Sequence, residues 1–459
     1  MAPGDHVPGG PFVAARARQF ATISADGHVV AWQSENAIFA RDLSGPVERI
    51  DVDSNENAGA GPANFPKLSD DGRFVAFQSR AANLVAGDNN GATDVFVRDR
   101  LTGTTSLVGV DSAGLQFPTG AGVDDISGDG RYVLFGSASL WVRDRLLGST
   151  SQVKPPESQA GGPAMRSSLS ADGRYVTFNS RDNLAPGASG TDSKVFRYDR
   201  TTGTTALVSV RLDGGTGTGL WPSISGEGRY VLFWSRDDGL VENDDDDPDL
   251  FRRDMATGLT VRVPMDAPEV EVPTAVDFPP TISHNGRYVS FTVLVYAGYA
   301  RVFHYDFDGG DFTLIGTRSP LDAVNSGISA DGRYVAHTLP ELTVDGELIS
   351  QIEVEVAPTM DITGGVPLSV ARGTSASVTI SGSNLDEVVG LFGEPGSGVT
   401  FSDVVATEND VHATVSAAVD APAGHHDLDL EASTPGPGFD GHTSNRKTCF
   451  NCIVVTTTS

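Results

Sequence analysis

Short runs of alternating apolar and polar residues recur along the chain. Arg73-Phe-Val-Ala-Phe77, Arg131-Tyr-Val-Leu-Phe135 and Arg229-Tyr-Val-Leu-Phe233 set aromatic and β-branched residues at period two. That period predicts strands buried on their faces. Each run follows a tight turn. The turns read Ile23-Ser-Ala-Asp-Gly27, Leu68-Ser-Asp-Asp-Gly72, Ile126-Ser-Gly-Asp-Gly130 and Leu169-Ser-Ala-Asp-Gly173. They continue as Ile224-Ser-Gly-Glu-Gly228, Ile282-Ser-His-Asn-Gly286 and Ile328-Ser-Ala-Asp-Gly332. Asp-Gly predicts a hairpin, because glycine accepts the positive φ that such a turn requires. The glycines are 45, 58, 43, 55, 58 and 46 residues apart. That spacing suits units of four strands.

A third strand then ends in a second turn, as in Asp94-Val-Phe-Val-Arg-Asp-Arg-Leu-Thr-Gly103 and Val195-Phe-Arg-Tyr-Asp-Arg-Thr-Thr-Gly203. A fourth follows at Ser106–Val110, Ala206–Val210 and Thr260–Val263. The Ser-x-Asp-Gly-Arg-Tyr-Val-x-Phe unit resembles the TolB-type, WD40-like propeller repeat known as PD40, over roughly residues 10–356. The resemblance implies a β-propeller. TolB is described as six-bladed, whereas seven units are present here.

The seventh unit has no clear fourth strand after Ile352-Glu-Val-Glu-Val356. Pro11-Phe-Val-Ala-Ala-Arg-Ala17 precedes the first turn and is expected to complete it. Such closure removes exposed sheet edges. The expected fold is therefore all-β: a seven-bladed β-propeller over 1–356, closed by an N-terminal strand, then an immunoglobulin-like β-sandwich over 357–459.

Up-and-down strand order puts the Asp-Gly turns and the Asp-x-x-Thr-Gly turns on one face. The longer strand-two-to-three loops and the unit-to-unit loops then share the other. Binding residues concentrate on loops held by a rigid frame, so that face is the expected binding surface.

The formal net charge is −28. It argues against binding to nucleic acid, which requires a basic footprint, and against docking on anionic lipid. No run of 18 apolar residues predicts a transmembrane helix. No charged-then-apolar leader is present, so the chain is compatible with a mature secreted protein or a cytoplasmic one.

Two loops are rich in carboxylates: Gly87-Asp-Asn-Asn-Gly-Ala-Thr-Asp94 and Glu242-Asn-Asp-Asp-Asp-Asp-Pro-Asp249. Calcium takes six to eight hard oxygen ligands, and Asp88, Asn90 and Asp94, or Asp244, Asp246 and Asp249, have suitable types and spacing. Neither loop has the distal glutamate of an EF-hand, and a solvated acidic turn is the plainer alternative. Asp42, Asp99, Asp144, Asp199, Asp254 and Asp306 precede turns at a fixed offset and read as turn caps. His337 stands where the other units carry Phe or Trp. His284 lies in a turn on the face opposite the long loops. No Gly-x-Ser-x-Gly elbow, phosphate loop or histidine ligand spacing appears, so no catalytic residue is assigned.

From Ala357 the period changes. Ser375-Ala-Ser-Val-Thr-Ile-Ser-Gly-Ser-Asn-Leu385 and Ala421-Pro-Ala-Gly-His-His-Asp-Leu-Asp-Leu430 resemble an IPT/TIG-type immunoglobulin-like domain. Such a resemblance implies a spacer or adhesion module. Cys449 and Cys452 precede the expected last strand; a local disulfide, free thiols or an intermolecular link remain open, and a disulfide would fit an oxidising compartment.

The reading is a non-catalytic, secreted or cell-surface binding or scaffold protein. It binds a protein, peptide or glycan on the long-loop face, without nucleic acid or membrane insertion, with calcium as the candidate ion. One alternative is a self-assembling component of a surface filament or virion. Another is a metal-dependent lyase or hydrolase working in the propeller mouth.

Overall fold

The computed structural model describes the chain except residues 1–11, 14–16, 35, 44, 154–166, 243–247, 264–278, 296–298, 311, 321–325, 345–346, 357–360, 365–367, 384, 386–387, 394–396, 408, 433–445 and 457–459. Its described regular elements are all strands. Contacts divide the chain into Met1–Glu355 and Val356–Ser459.

Among the described residues the first unit holds seven four-stranded antiparallel sheets, each built from strands consecutive in sequence except the last. Sheet 2 comprises Ala63–Leu68, Phe74–Ser79, Asp94–Asp99 and Thr104–Leu107. Sheet 4 comprises Ser168–Leu169, Tyr175–Ser180, Lys194–Asp199 and Thr204–Leu207. Sheet 5 comprises Leu220–Ile224, Tyr230–Ser235, Asp249–Asp254 and Thr260–Arg262. Sheets 1, 3 and 6 start at Ala17, Gly122 and Thr281. Sheet 7 takes Ser326–Ile328, Tyr334–Val344 and Glu347–Val356, and its outer strand is Phe12–Val13, with Phe12 opposite Ile352. Apolar cores fill the spaces between consecutive sheets. Ala31, Ile38 and Ile50 of sheet 1, for instance, pack with Val75, Phe77 and Phe96 of sheet 2. The architecture is a β-propeller.

Local chemistry makes each inner turn. Ser69 Oγ donates to Asp71 Oδ1 at 2.7 Å and accepts from the Phe74 N–H at 2.9 Å. The same pair of bonds recurs at Ser127, Ser170 and Ser329. In five of the units the arginine after the glycine then reaches the third strand. Arg73, Arg131, Arg174, Arg229 and Arg287 form two-pronged pairs with Asp99, Asp144, Asp199, Asp254 and Asp306. Those aspartates also cap their turns, Asp99 Oδ1 accepting from the N–H groups of Leu101 and Thr102.

Two devices join neighbouring sheets. The first is a ring of backbone hydrogen bonds through the variable residue of each turn. The N–H of Ala25 donates to Asp70, Asp70 to Gly128, Gly128 to Ala171 and Ala171 to Gly226. Gly226 donates to His284, His284 to Ala330, and Ala330 back to Ala25. The second device presses an aromatic ring onto the next turn's glycine. A Cβ on Gly173 would lie 2.2 Å from the Tyr132 ring, and one on Gly27 2.1 Å from Tyr334. Tyr132 is itself contacted by the Arg131 and Arg200 guanidiniums, at 4.8 and 4.4 Å from its centroid.

Between sheets 6 and 7 the latch is a histidine. His304 is fully buried, stacks on Tyr288 and bonds the Gly332 carbonyl through Nε2 at 3.1 Å. Burial lowers its pKa to about 4, so it is neutral in the folded protein at pH 7. The unfolded chain takes up this proton near pH 6.5, the folded one only near 4. The latch therefore costs nothing above pH 6.5. It loses up to about 3 kcal/mol as pH falls to 4. His304→Gln keeps an N–H donor without titrating. Its Tm is expected to fall less than that of the wild type between pH 7 and 4.5.

The second unit has two four-stranded sheets over one core that includes Ile380, Val411, Leu428 and Ile453. One sheet contains a parallel pair, Leu368 beside Ile453. Cys449 and Cys452 fall within the strand Arg446–Thr456 rather than before it. Their side chains, and the disulfide considered for them, lie outside the described residues.

Candidate functional site

The inner strands of all seven sheets line one cavity of about 400 Å³. Two residues before each turn serine, its wall carries Thr22, Lys67, Asp125, Ser168, Ser223, Thr281 and Gly327. Several inner strands are bulged, with register breaks between Asn64 and Lys67, Val123 and Asp125, and Leu220 and Ser223. Phe65 and Trp221 sit in these breaks at φ 57° and 53°. A left-handed φ costs a bulky residue about 1–2 kcal/mol, so strain is stored beside the cavity.

The charged groups of the wall differ in how they are satisfied. Asp125 accepts from the N–H groups of Ile126 and Leu169 and from Ser168 Oγ. Asp124 is 4 % exposed, and neither carboxylate oxygen has a partner in hydrogen-bonding geometry. Burial pushes its carboxyl well up, an effect that Ser167 and Lys67 only partly offset. At the turn ring, Ala25, Gly128, Ala171, Gly226 and Ala330 are small, while Asp70 and His284 are not. Those two meet, Nε2 to Oδ1 at 3.3 Å. Gly128 and Gly226 make room, since a Cβ on either would strike Asp70 or His284 at 2.0 and 2.6 Å.

The long loops pack against one another in pairs. Loop 80–93 meets loop 108–121: the Asn89 N–H donates to Gln116 Oε1, Asn90 Nδ2 to the Phe117 carbonyl, and the Ala121 N–H to the Thr93 carbonyl. Loop 181–193 meets 208–219 likewise, with Ser189 on Thr216 and the Gly219 N–H on the Ser193 carbonyl. Arg211 pairs with Asp237 in the next such contact.

Asp88, Asn90 and Asp94 come together, with different roles. Asn90 Oδ1 is taken by the Ala92 N–H, which leaves its amide nitrogen to face Asp94 Oδ1 at 3.2 Å. Asn90 therefore donates to Asp94 in this arrangement. Gln116 Nε2 bridges Asp88 Oδ1 at 2.9 Å and Asp94 Oδ2 at 3.5 Å. Asp94 is fully buried, and burial raises its pKa to about 6. Asp249 is buried and pairs with Arg262 at 3.2 Å, so a cation from the protein already faces it. Asp244 and Asp246 lie outside the described residues, and no group of three or more His, Cys, Asp or Glu poised for a metal occurs among the described ones.

Lys67, Asp70, Asp124 and Lys194 carry no role in the sequence analysis, and His284 is placed there in its turn without its partner Asp70. The available signals were scarcity and outliers: Lys67 and Lys194 are two of only four lysines, and Asp70 and His284 are the large residues at an otherwise small repeat position.

No family model matches the chain, and no curated protein matches it. Solved structures do. TolB from Acinetobacter baumannii aligns with a TM-score of 0.40 and 15 % identity, over 67 % of this chain and 65 % of that one. Hydrazine synthase from Kuenenia stuttgartiensis aligns at 0.46 and 13 %, over 76 % and 99 %. The tricorn protease aligns at 0.45 and 12 %, over 73 % and 33 %. The chain thus spans just under two thirds of the TolB chain and a third of the tricorn chain. Likenesses this distant assign no residue a role.

Proposed function

We propose that this chain is a non-catalytic, secreted or cell-surface binding protein. It is a seven-bladed TolB-type propeller with an immunoglobulin-like C-terminal domain, and its long-loop face takes a protein, peptide or glycan. The observation that carries the reading is the contrast between the two ends of the sheets. On one side, stapled turns repeat nearly the same Ser–Asp and Arg–Asp bonds from sheet to sheet. On the other, paired loops differ in length and residue type while holding each other in place. Rigid variable loops on an invariant frame are the usual seat of recognition.

Exposed leucines allow a test. Leu115 and Leu212 lie in loops 108–121 and 208–219, 65 % and 64 % exposed; Leu101 and Leu146 lie in the short turns, 76 % and 75 % exposed. A partner would be captured by cross-linking from the source organism's envelope and medium, and its affinity measured for both double variants. L115E/L212E is expected to weaken binding tenfold or more, and L101E/L146E to leave it within twofold. The opposite pattern would place the binding surface on the short-turn side.

A further inference from the structure

Three loops occupy one structural position and differ in how they balance charge. Their ends are fixed by the same bonds. Ser79, Ser180 and Ser235 close the second strand, and each Oγ accepts from the N–H two residues on. Each serine also pairs in register with the first residue of the third strand: Asp94, Lys194 and Asp249 respectively. The Thr93 and Ser193 carbonyls accept matching bonds from Ala121 and Gly219.

In sheet 4 this position holds a cation. Lys194 is 1 % exposed, and its ammonium donates to the carbonyls of Arg181, Gly190 and Asp192 at 2.9, 3.0 and 2.7 Å. In sheet 5 the position is an anion, faced by Arg262. In sheet 2 it is Asp94, fully buried, and its contacts are amide nitrogens of Asn90 and Gln116 at 3.2 and 3.5 Å. Counting from the same ends, the carbonyls of Arg80, Asn90 and Ala92 correspond to those that hold the Lys194 ammonium. No described residue donates to them.

We propose that the sheet 2 loop binds a calcium ion where sheet 4 places its lysine ammonium. Asp94 and Asp88 supply carboxylate oxygens, and the loop carbonyls supply the rest. A carboxylate side chain is shorter than a lysyl chain, and a calcium–oxygen bond of about 2.4 Å bridges that difference. Gln116 Nε2 lies between the two carboxylates in this structure. It gives way or turns its oxygen inward when the ion enters. Asn90 Oδ1 stays with the Ala92 N–H and is not a ligand. The sheet 4 loop takes no ion at this position, since Lys194 already supplies the charge. Two carboxylates with carbonyls suit a Kd of about 10 μM to 1 mM.

The test uses the full chain, stripped of metal, titrated with Ca²⁺ and separately with Mg²⁺ by calorimetry and thermal melting. The wild type is expected to bind Ca²⁺, with Tm rising by about 2 °C or more at a hundredfold excess over Kd. Asp94→Asn and Asp88→Asn are each expected to weaken that binding tenfold or more. Asp94→Lys, which copies sheet 4, should fold, melt higher than the metal-free wild type and ignore Ca²⁺ in its melting. No Ca²⁺ binding by the wild type, preference for Mg²⁺, or binding unchanged in both asparagine variants overturns the proposal.

Discussion

Gly173→Ala is expected to destabilise the propeller by about 3 kcal/mol or more, through two separable costs. Gly173 sits at φ +70°, where an alanine is strained by about 1–2 kcal/mol. The new Cβ would also enter the Tyr132 ring at 2.2 Å. That ring is held in place, because Arg131 and Arg200 lie against it and the Arg200 guanidinium also bonds the Gly173 carbonyl. Overpacking of this kind adds about 1–3 kcal/mol. Gly187→Ala is the control: φ is +81°, but nothing lies within 4 Å of its Cβ. It should cost only the backbone strain. Chemical denaturation of both variants would separate the terms. Equal midpoints would mean that the glycine serves only its own turn and not the seam between sheets 3 and 4.

Lys194→Met is the second large effect, expected to cost about 2–3 kcal/mol. Methionine nearly matches the volume, so packing changes little. What disappears is a charged donor holding three carbonyls of one loop. Hydrogen bonds to a charged group contribute about 1.5–3 kcal/mol each, and release from the cost of burying an ammonium offsets part of their loss. Burial already draws the Lys194 pKa down, the direction expected of a desolvated ammonium. Loop 181–193 should become the first site of proteolytic cleavage, a change read directly by limited proteolysis and mass spectrometry. Unchanged cleavage and melting would show that the loop is ordered by its contacts with Thr216 and Gly219 instead.

Sequence and structure part ways at identifiable residues. The turns were legible because their bonds span no more than five residues: serine to aspartate, serine to the N–H beyond the glycine. The Arg73–Asp99 pairing was half legible, since the aspartates were read as caps and their arginine partners were not. The candidate calcium loop shows the limit. Residue types placed Asp88, Asn90 and Asp94 together, but nothing in their spacing said that Asn90 spends its oxygen on Ala92, or that Gln116 arrives between the two carboxylates.

By itself the sequence determined the strands, the turns and the sevenfold repeat, because period-two patterning and glycine at positive φ are short-range physics written into neighbouring residues. Tertiary structure alone decided what those units do to one another. The hydrogen-bonded ring runs through backbone groups that every residue possesses, so no side chain announces it. Asp70 and His284 meet from distant repeats, and the room that Gly128 and Gly226 leave for them matters only once the ring has closed. Whether a buried charge is matched, as at Lys194 and Asp249, or short of a counter-charge, as at Asp94, depends on which distant groups the closed ring brings within about 3 Å.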